Sequence, residues 1–108
     1  MSRGDVVVVA APGDYGKPRP AVIVQSNAIP ASHASIVVCQ ITSELVEADF
    51  RVTIEAGSET GLRVRSQVMA DKPTTVRQER IGPRIGCLAV ADMARLNAAL
   101  AFVMGLAD

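Results

Sequence analysis

One arginine in this chain is made conspicuous by its neighbours. Arg19 stands between Pro18 and Pro20, at the far end of the polar turn Pro12-Gly13-Asp14-Tyr15-Gly16-Lys17-Pro18. Pro18 fixes its own φ, and Pro20 drives Arg19 out of the helical region into extended backbone. A guanidinium launched from so stiff a chain is suited to gripping an anion such as a phosphate, because it is planar, always charged and bidentate. The plainer reading is a turn arginine paired with Asp14 at the surface. His33 is the single histidine, and its ordinary pKa suits acid–base work; it lies in a loop of small residues, Asn27 to Ser35. Cys39 and Cys87 stand alone in apolar stretches, without a CxxC spacing or an adjacent histidine. They read as two buried, reduced thiols and not as metal ligands.

Two apolar, β-branched runs must hold the turn. Asp5 to Ala11 is continuously apolar after its first residue, which predicts a strand covered on both faces. Pro20 to Gln25 is the second such strand, and the pair reads as a hairpin. Ile36 to Thr42 alternates, with Ile36, Val38, Gln40 and Thr42 on one face and Val37, Cys39 and Ile41 on the other. The first set turns polar, so Thr42 belongs at a strand end near solvent. An acidic connection with a helical turn, Glu44 to Asp49, leads to a short strand, Arg51 to Glu55. A fifth strand, Ser66 to Asp71, is interrupted by Lys72-Pro73, since proline suits an edge or a bulge. Extended structure resumes at Thr74 to Val76, Gln78 to Gly82 is a turn, and Arg84 to Leu88 is the last strand.

Val90 to Met104 is the one long helix. Met93, Leu96, Leu100 and Val103 recur at helical spacing. Asp92 favours the dipole at its start, Gly105-Leu106 caps its end, and Ala89 is a poor N-cap. From Ala98 onward the helix is apolar nearly all round, so it must be buried under the sheet or against a second chain. Strands at short intervals and one terminal helix predict a mostly-β α+β fold: a small, strongly curved antiparallel barrel capped by the helix.

At 108 residues the chain is expected to be one domain, 1–108, burying roughly two thirds of its unfolded surface. The formal net charge is zero, which argues against simple charge-driven nucleic-acid binding. The distribution is uneven. Glu44, Glu47, Asp49, Glu55 and Glu59 face only Arg51 in the middle segment. Arg63, Arg65, Lys72, Arg77, Arg80 and Arg84 dominate the next, against Asp71 and Glu79. The two segments either pair with each other or build a local basic groove. No basic start with an apolar stretch behind it follows Met1, and no run approaches the ~20 apolar residues of a membrane span. The expectation is a soluble, cytoplasmic protein without a membrane partner.

The order of short motifs resembles a known family. Arg3-Gly4-Asp5-Val6-Val7, then Arg19-Pro20-Ala21-Val22-Ile23-Val24, then Ile41-Thr42 are similar to the MazF/PemK toxins of type II toxin–antitoxin modules. Gly61-Leu62, Ser66, Val76, Arg80-Ile81-Gly82, Ile85-Gly86-Cys87-Leu88, Met93, Ala99-Leu100 and Gly105-Leu106 match the second half in order and spacing. The chain departs from the family at Lys72-Pro73-Thr74, where a Gln-Ile-Arg-like stretch is usual, and in a shorter turn before Arg19.

The resemblance implies an SH3-like barrel that forms a homodimer. It implies an endoribonuclease that cuts single-stranded RNA in a sequence-specific way, needs no metal or other cofactor, and leaves 2′,3′-cyclic phosphate and 5′-hydroxyl ends. It further implies a cognate, MazE-like antitoxin whose disordered tail lies in the RNA groove, and DNA binding in complex with that antitoxin. By position, Arg19 and Thr42 fall on the family's catalytic residues. The RNA-binding candidates are then Tyr15 for stacking, Gly16 and Lys17 as an anion nest, Ser66 as a hydrogen-bonding group, and Lys72 and Arg77 as phosphate or base contacts; Arg63 and Arg65 are further basic candidates. One alternative is a non-catalytic toxin of the same fold that inhibits DNA gyrase, like CcdB, which the absence of tryptophan disfavours. Another is an inactive, antitoxin-binding homologue.

Overall fold

The structure, a computed structural model, describes residues 1–10 and 17–106. Within them the order is β1 (Asp5–Val9), β2 (Arg19–Ile23), β3 (Ser35–Thr42), β4 (Arg51–Ile54), β5 (Ser66–Arg77), a 3₁₀ turn (Gln78–Arg80), β6 (Ile81–Cys87) and helix α1 (Val90–Met104). The strands form one antiparallel sheet in the order β4-β5-β3-β2-β1-β6. The α+β class is as expected, but the strand pairing does not close into a ring: β4 and β6 are edges. The β4–β5 loop spans the gap, its Glu59 carbonyl accepting the Cys87 N–H at 2.8 Å. Two glycines permit this contact. Gly61 has φ +74°, and a Cβ there would strike the Ile85 carbonyl; a Cβ on Gly86 would strike the Glu59 and Thr60 carbonyls.

Apolar residues are buried on both faces of the sheet, which explains the unbroken valine run. Val6, Val22, Cys39 and Ile41 join Val52, Ile54, Val68, Leu96 and Ala99 in the larger cluster, under the helix. Val7, Val9, Ala21, Ile23, Ile36, Val38 and Val76 form the second, on the opposite face. The predicted alternation of β3 holds, with Ile36 and Val38 on one side and Cys39 and Ile41 on the other.

Several boundaries differ from the sequence expectation. β1 and β2 are shorter: Val24 and Gln25 both donate to the Val37 carbonyl, at 3.0 and 3.2 Å, so the ladder ends in an irregular turn. Lys72-Pro73 does not break β5, which runs through to Arg77. β4 pairs with β5 only as far as Met69, so Pro73 lies where one side of β5 is a free edge, beside a register shift in β3 between Cys39 and Ile41. β6 starts earlier, at Ile81, and takes in Pro83 on its edge. The acidic connection 43–50 contains no helical turn. Helix α1 has the expected bounds but a different buried set. Leu96 and Ala99 are buried, Met93 and Leu100 partly so, while Val103, Phe102 and Met104 are exposed in this single chain. Gly105 closes the helix in the left-handed conformation, and Leu106 N–H bonds the Ala101 carbonyl.

The opening Arg3-Gly4-Asp5 fastens the N-terminus. Arg3 Nε donates to the Val24 carbonyl at 2.8 Å, and its backbone N–H donates to Asn27 Oδ1 at 2.8 Å. Asp5 accepts the Ser2 N–H and pairs with Arg84 at 3.1 Å. Burial alone would push the Asp5 carboxyl up, but the Ser2 amide and the Arg84 guanidinium together hold it below the ordinary aspartate value. Acidic and basic segments do pair in part, through Arg51–Asp71 at 3.1 Å and Arg65–Glu55 at 3.0 Å.

Candidate active site

Strand register brings the two foremost candidates together. Ala21 of β2 lies opposite Gln40 of β3. The β2–β3 pairing ends there, and Arg19 and Thr42 lie two residues beyond it on their two strands, at the same end. Residues 23 apart in sequence thus meet at one end of the sheet. Thr42 Oγ1 accepts the Glu44 N–H at 3.1 Å. That bond fixes the side chain and leaves its hydroxyl proton to donate elsewhere.

Both residues open onto a cleft of about 590 Å³. Val8, Ile41, Leu62 and Ile85 give it an apolar floor, and Arg19, Thr42, Ser43 and Arg63 supply polar groups. No carboxylate or imidazole lines it among the described residues. Arg19 and Arg63 are exposed and Thr42 is half-buried. The arrangement offers a guanidinium and a hydroxyl to an anion, above a dry surface that a base or sugar can cover.

The remaining candidates fall in different places. Ser66 lines the same cleft, but it is buried and its Oγ donates to the Val64 carbonyl at 2.9 Å. Its proton is spent on shaping the loop beside the cleft. Lys17 is exposed and does not line the cleft. Tyr15 and Gly16, with Asp14, lie outside the described residues. Lys72 and Arg77 are exposed on the far half of β5 and are not brought to Thr42. Arg77 pairs with Ser35 and Thr42 with Gln67; Ser35 and Thr42 are the two ends of β3, roughly 23 Å apart along the strand at about 3.3 Å per residue. His33 is also at that far end, its carbonyl accepting from Gln78 Nε2 at 3.1 Å.

Sequence reading missed a clasp behind the site. Gln67 is 5% exposed. Its carboxamide accepts the Val46 N–H at 3.0 Å, donates to the Val46 carbonyl at 2.8 Å and to Thr53 Oγ1 at 3.1 Å. It thereby anchors the loop that follows Thr42. A glutamine between two residues of a buried strand, Ser66 and Val68, was the available signal, because a buried amide requires partners. Cys39 lies in the core, its thiol pushed up to about 12 by burial and then by the charge of Asp71. Cys87 is half-buried and reduced.

Comparison with known proteins covers the whole of this architecture. Residues 2–104 match the family model of PemK-like, MazF-like toxins of type II toxin–antitoxin systems. A protein of Mycolicibacterium smegmatis named probable endoribonuclease MazF is 41% identical over 108 residues, covering 99% of each chain. A solved mycobacterial endoribonuclease in complex with its cognate antitoxin aligns with a TM-score of 0.84 at 27% identity, over 98% of this chain and 96% of that one. The Mycobacterium tuberculosis toxin MazF-mt6 aligns with a TM-score of 0.82 at 20% identity, over 94% of this chain and 96% of that one, a likeness of fold.

Proposed function

Because the chain belongs to the PemK-like, MazF-like toxins of type II toxin–antitoxin systems, we propose that it is an endoribonuclease. It cuts single-stranded RNA at specific sequences without a metal, leaving 2′,3′-cyclic phosphate and 5′-hydroxyl ends. The observation that carries this reading is that Arg19 and Thr42 line one cleft, just past the last β2–β3 pair, Ala21 with Gln40. In such a cleavage the 2′-hydroxyl attacks the adjacent phosphorus in line, and the bond to the 5′-oxygen breaks. Negative charge grows on the non-bridging oxygens and on the leaving oxygen. Donors already aimed at developing charge are the largest catalytic term in reactions of this kind. Arg19 donates hydrogen bonds to the non-bridging oxygens and to the departing 5′-oxygen, which takes its proton from water, while the 2′-hydroxyl proton passes to solvent. Thr42, its oxygen held by the Glu44 amide, donates its proton to a second phosphate oxygen.

The chain works as a single toxin domain in the cytoplasm, and none of its described helices is long and apolar enough to cross a membrane. It pairs with a second copy through the exposed apolar residues of the last turns of α1, including Phe102, Val103 and Met104. A cognate antitoxin, like that bound by the mycobacterial neighbour, neutralises it.

Purified protein mixed with a mixed-sequence RNA in EDTA tests the activity. The wild type is expected to cleave, and Arg19→Ala to cleave about 10²–10³-fold more slowly, the cost typical of losing one transition-state donor, while still binding RNA. Full activity in that variant would falsify the role of Arg19. Inhibition of supercoiling without RNA cleavage would overturn the nuclease reading in favour of a gyrase poison. Light scattering that finds only single chains of 11.3 kDa at micromolar concentration would overturn the dimer.

A further inference from the structure

The cleft holds a second guanidinium, that of Arg63, on a stretch of backbone held at both sides. Arg63 lies on the β4–β5 loop, and the backbone on either side of it is pinned. Leu62 is in the core; its N–H donates to Thr60 Oγ1 at 3.3 Å and its carbonyl accepts the Gly57 N–H at 3.2 Å. On the other side the Val64 carbonyl is captured by Ser66. Arg65 turns to Glu55 at 3.0 Å, whereas Arg63 lines the cleft.

Charge bookkeeping separates Arg63 from most other arginines. Arg51, Arg65, Arg84 and Arg95 sit on carboxylates, and Arg3 and Arg80 on backbone carbonyls. Arg63 makes no ion pair or side-chain hydrogen bond with any described residue. Arg63 brings a second guanidinium to a cleft whose described lining holds no carboxylate. A pre-ordered backbone spares the cost of ordering the loop when an anion binds, and leaves only the side chain to be fixed. The cleft volume lies within the range of small-molecule sites, so its occupant is of nucleotide size.

We infer that Arg63 binds the backbone phosphate next to the scissile one, so that the cleft grips two consecutive phosphates. This rests on the proposed nuclease reading. The neighbouring phosphate carries the same charge before, during and after cleavage. A contact to it stabilises substrate and transition state equally, and so acts on affinity and not on the chemical step. Arg63 is thereby a substrate-binding residue, distinct in role from Arg19.

The test uses the full chain and short synthetic RNAs. Binding is measured in the Arg19→Ala background across a salt series, and cleavage in the otherwise wild-type protein under single-turnover conditions. Arg63→Ala is expected to weaken binding about tenfold, as for one charge-assisted contact, and to lower the salt slope by about 0.7, the value for one contact to a single strand. The single-turnover cleavage rate at saturation is expected to stay within about threefold, with Arg63→Lys intermediate in affinity. Replacing the neighbouring phosphate by an uncharged methylphosphonate should weaken binding with Arg63 present and have no effect on Arg63→Ala. Unchanged affinity and slope in Arg63→Ala, or equal sensitivity of both proteins to the methylphosphonate, would overturn the inference. So would an Arg63→Ala protein that keeps its RNA affinity but no longer binds poly-glutamate, which would assign the residue to docking an acidic protein. If the wild type cuts no RNA in EDTA, the nuclease reading itself fails; if it cuts and Arg63→Ala binds as well as its parent, only this inference does.

Discussion

Gly86→Ala is expected to unseat the loop that supplies Leu62 and Arg63 to the cleft. Gly86 is buried in β6 opposite Val6, and a methyl group on its Cα would occupy the space of the Glu59 and Thr60 carbonyls. The loop must retreat, and the Cys87 N–H···O Glu59 bond of 2.8 Å is lost. A buried donor left without a partner costs about 1–3 kcal/mol. Forcing a methylene-sized group into a packed site costs about another 1–3 kcal/mol. Against this, alanine reduces the freedom of the unfolded chain by about 0.4–1 kcal/mol. The net is a loss of about 3 kcal/mol, or roughly 15 °C in melting temperature for a domain of this size. Thermal and urea unfolding followed by circular dichroism measure it, at fixed protein concentration because dimerisation feeds into apparent stability. Gly61→Ala attacks the same contact from the loop side, where the φ of +74° and the Ile85 carbonyl both oppose a side chain. The double variant should therefore lose clearly less than the sum of the two single losses, since one displacement relieves both clashes. A change below about 0.5 kcal/mol in Gly86→Ala, the range of an inconsequential surface substitution, or strict additivity of the two, would refute this account of the junction.

Two further outcomes follow from the thiols and from the N-terminal ion pair. Native protein at about pH 8, below the ordinary thiol value, should react with a thiol reagent at Cys87 alone. Cys39 is fully buried with its pKa pushed up to about 12, and two equally fast thiols would contradict its place in the core. The depressed Asp5 carboxyl stabilises the fold at pH values above its unfolded value of about 3.9. That contribution is lost as pH falls from there through the lower folded value. Asp5→Asn should flatten the decline of urea stability in that acid window, and an unaltered decline would count against the Ser2 and Arg84 contacts.

The strands and the helix were legible because their signals are local. A valine run covered on both faces, an alternating β3 and a helical period from Val90 to Met104 all survive into the structure. The misread features depend on partners distant in sequence. Pro73 is tolerated inside β5 because β4 stops pairing at Met69, which nothing near Pro73 reports. Val103 shares the helical period of Leu96, yet the last turns of α1 reach beyond the cover this chain provides. The site divides in the same way. Two prolines marked Arg19, whereas its sharing a cleft with Thr42 is a consequence of how β2 and β3 pair, and that pairing is set by the whole hydrophobic pattern. Gly61 and Gly86 look like ordinary turn and strand glycines until the β4–β5 loop and β6 are placed face to face. Gln67 clasps a loop 21 residues away in sequence.

The make-up of the cleft also constrains the pH dependence of its chemistry. Arg19 and Arg63 bring hydrogen-bond donors and no acceptor to the cleft, and Thr42 adds a hydroxyl. The described lining contains no carboxylate and no imidazole, while His33 lies beyond the opposite end of β3. On the proposed reading, such a site lowers the barrier by stabilising charge on the phosphorane and the leaving oxygen. The proposed mechanism leaves removal of the 2′-hydroxyl proton to hydroxide from solvent. Single-turnover rates, which read the chemical step apart from product release, should accordingly rise about tenfold per pH unit between roughly pH 5 and 8. His33→Ala should follow the wild-type line. Arg19→Ala should lie below it by a constant factor, because the proposed role of Arg19 is to stabilise developing charge and not to take the first proton. A plateau or a bell near neutrality would mean that an internal base carries the first proton, and a profile flattened by His33→Ala would name it; either result would refute a purely electrostatic cleft.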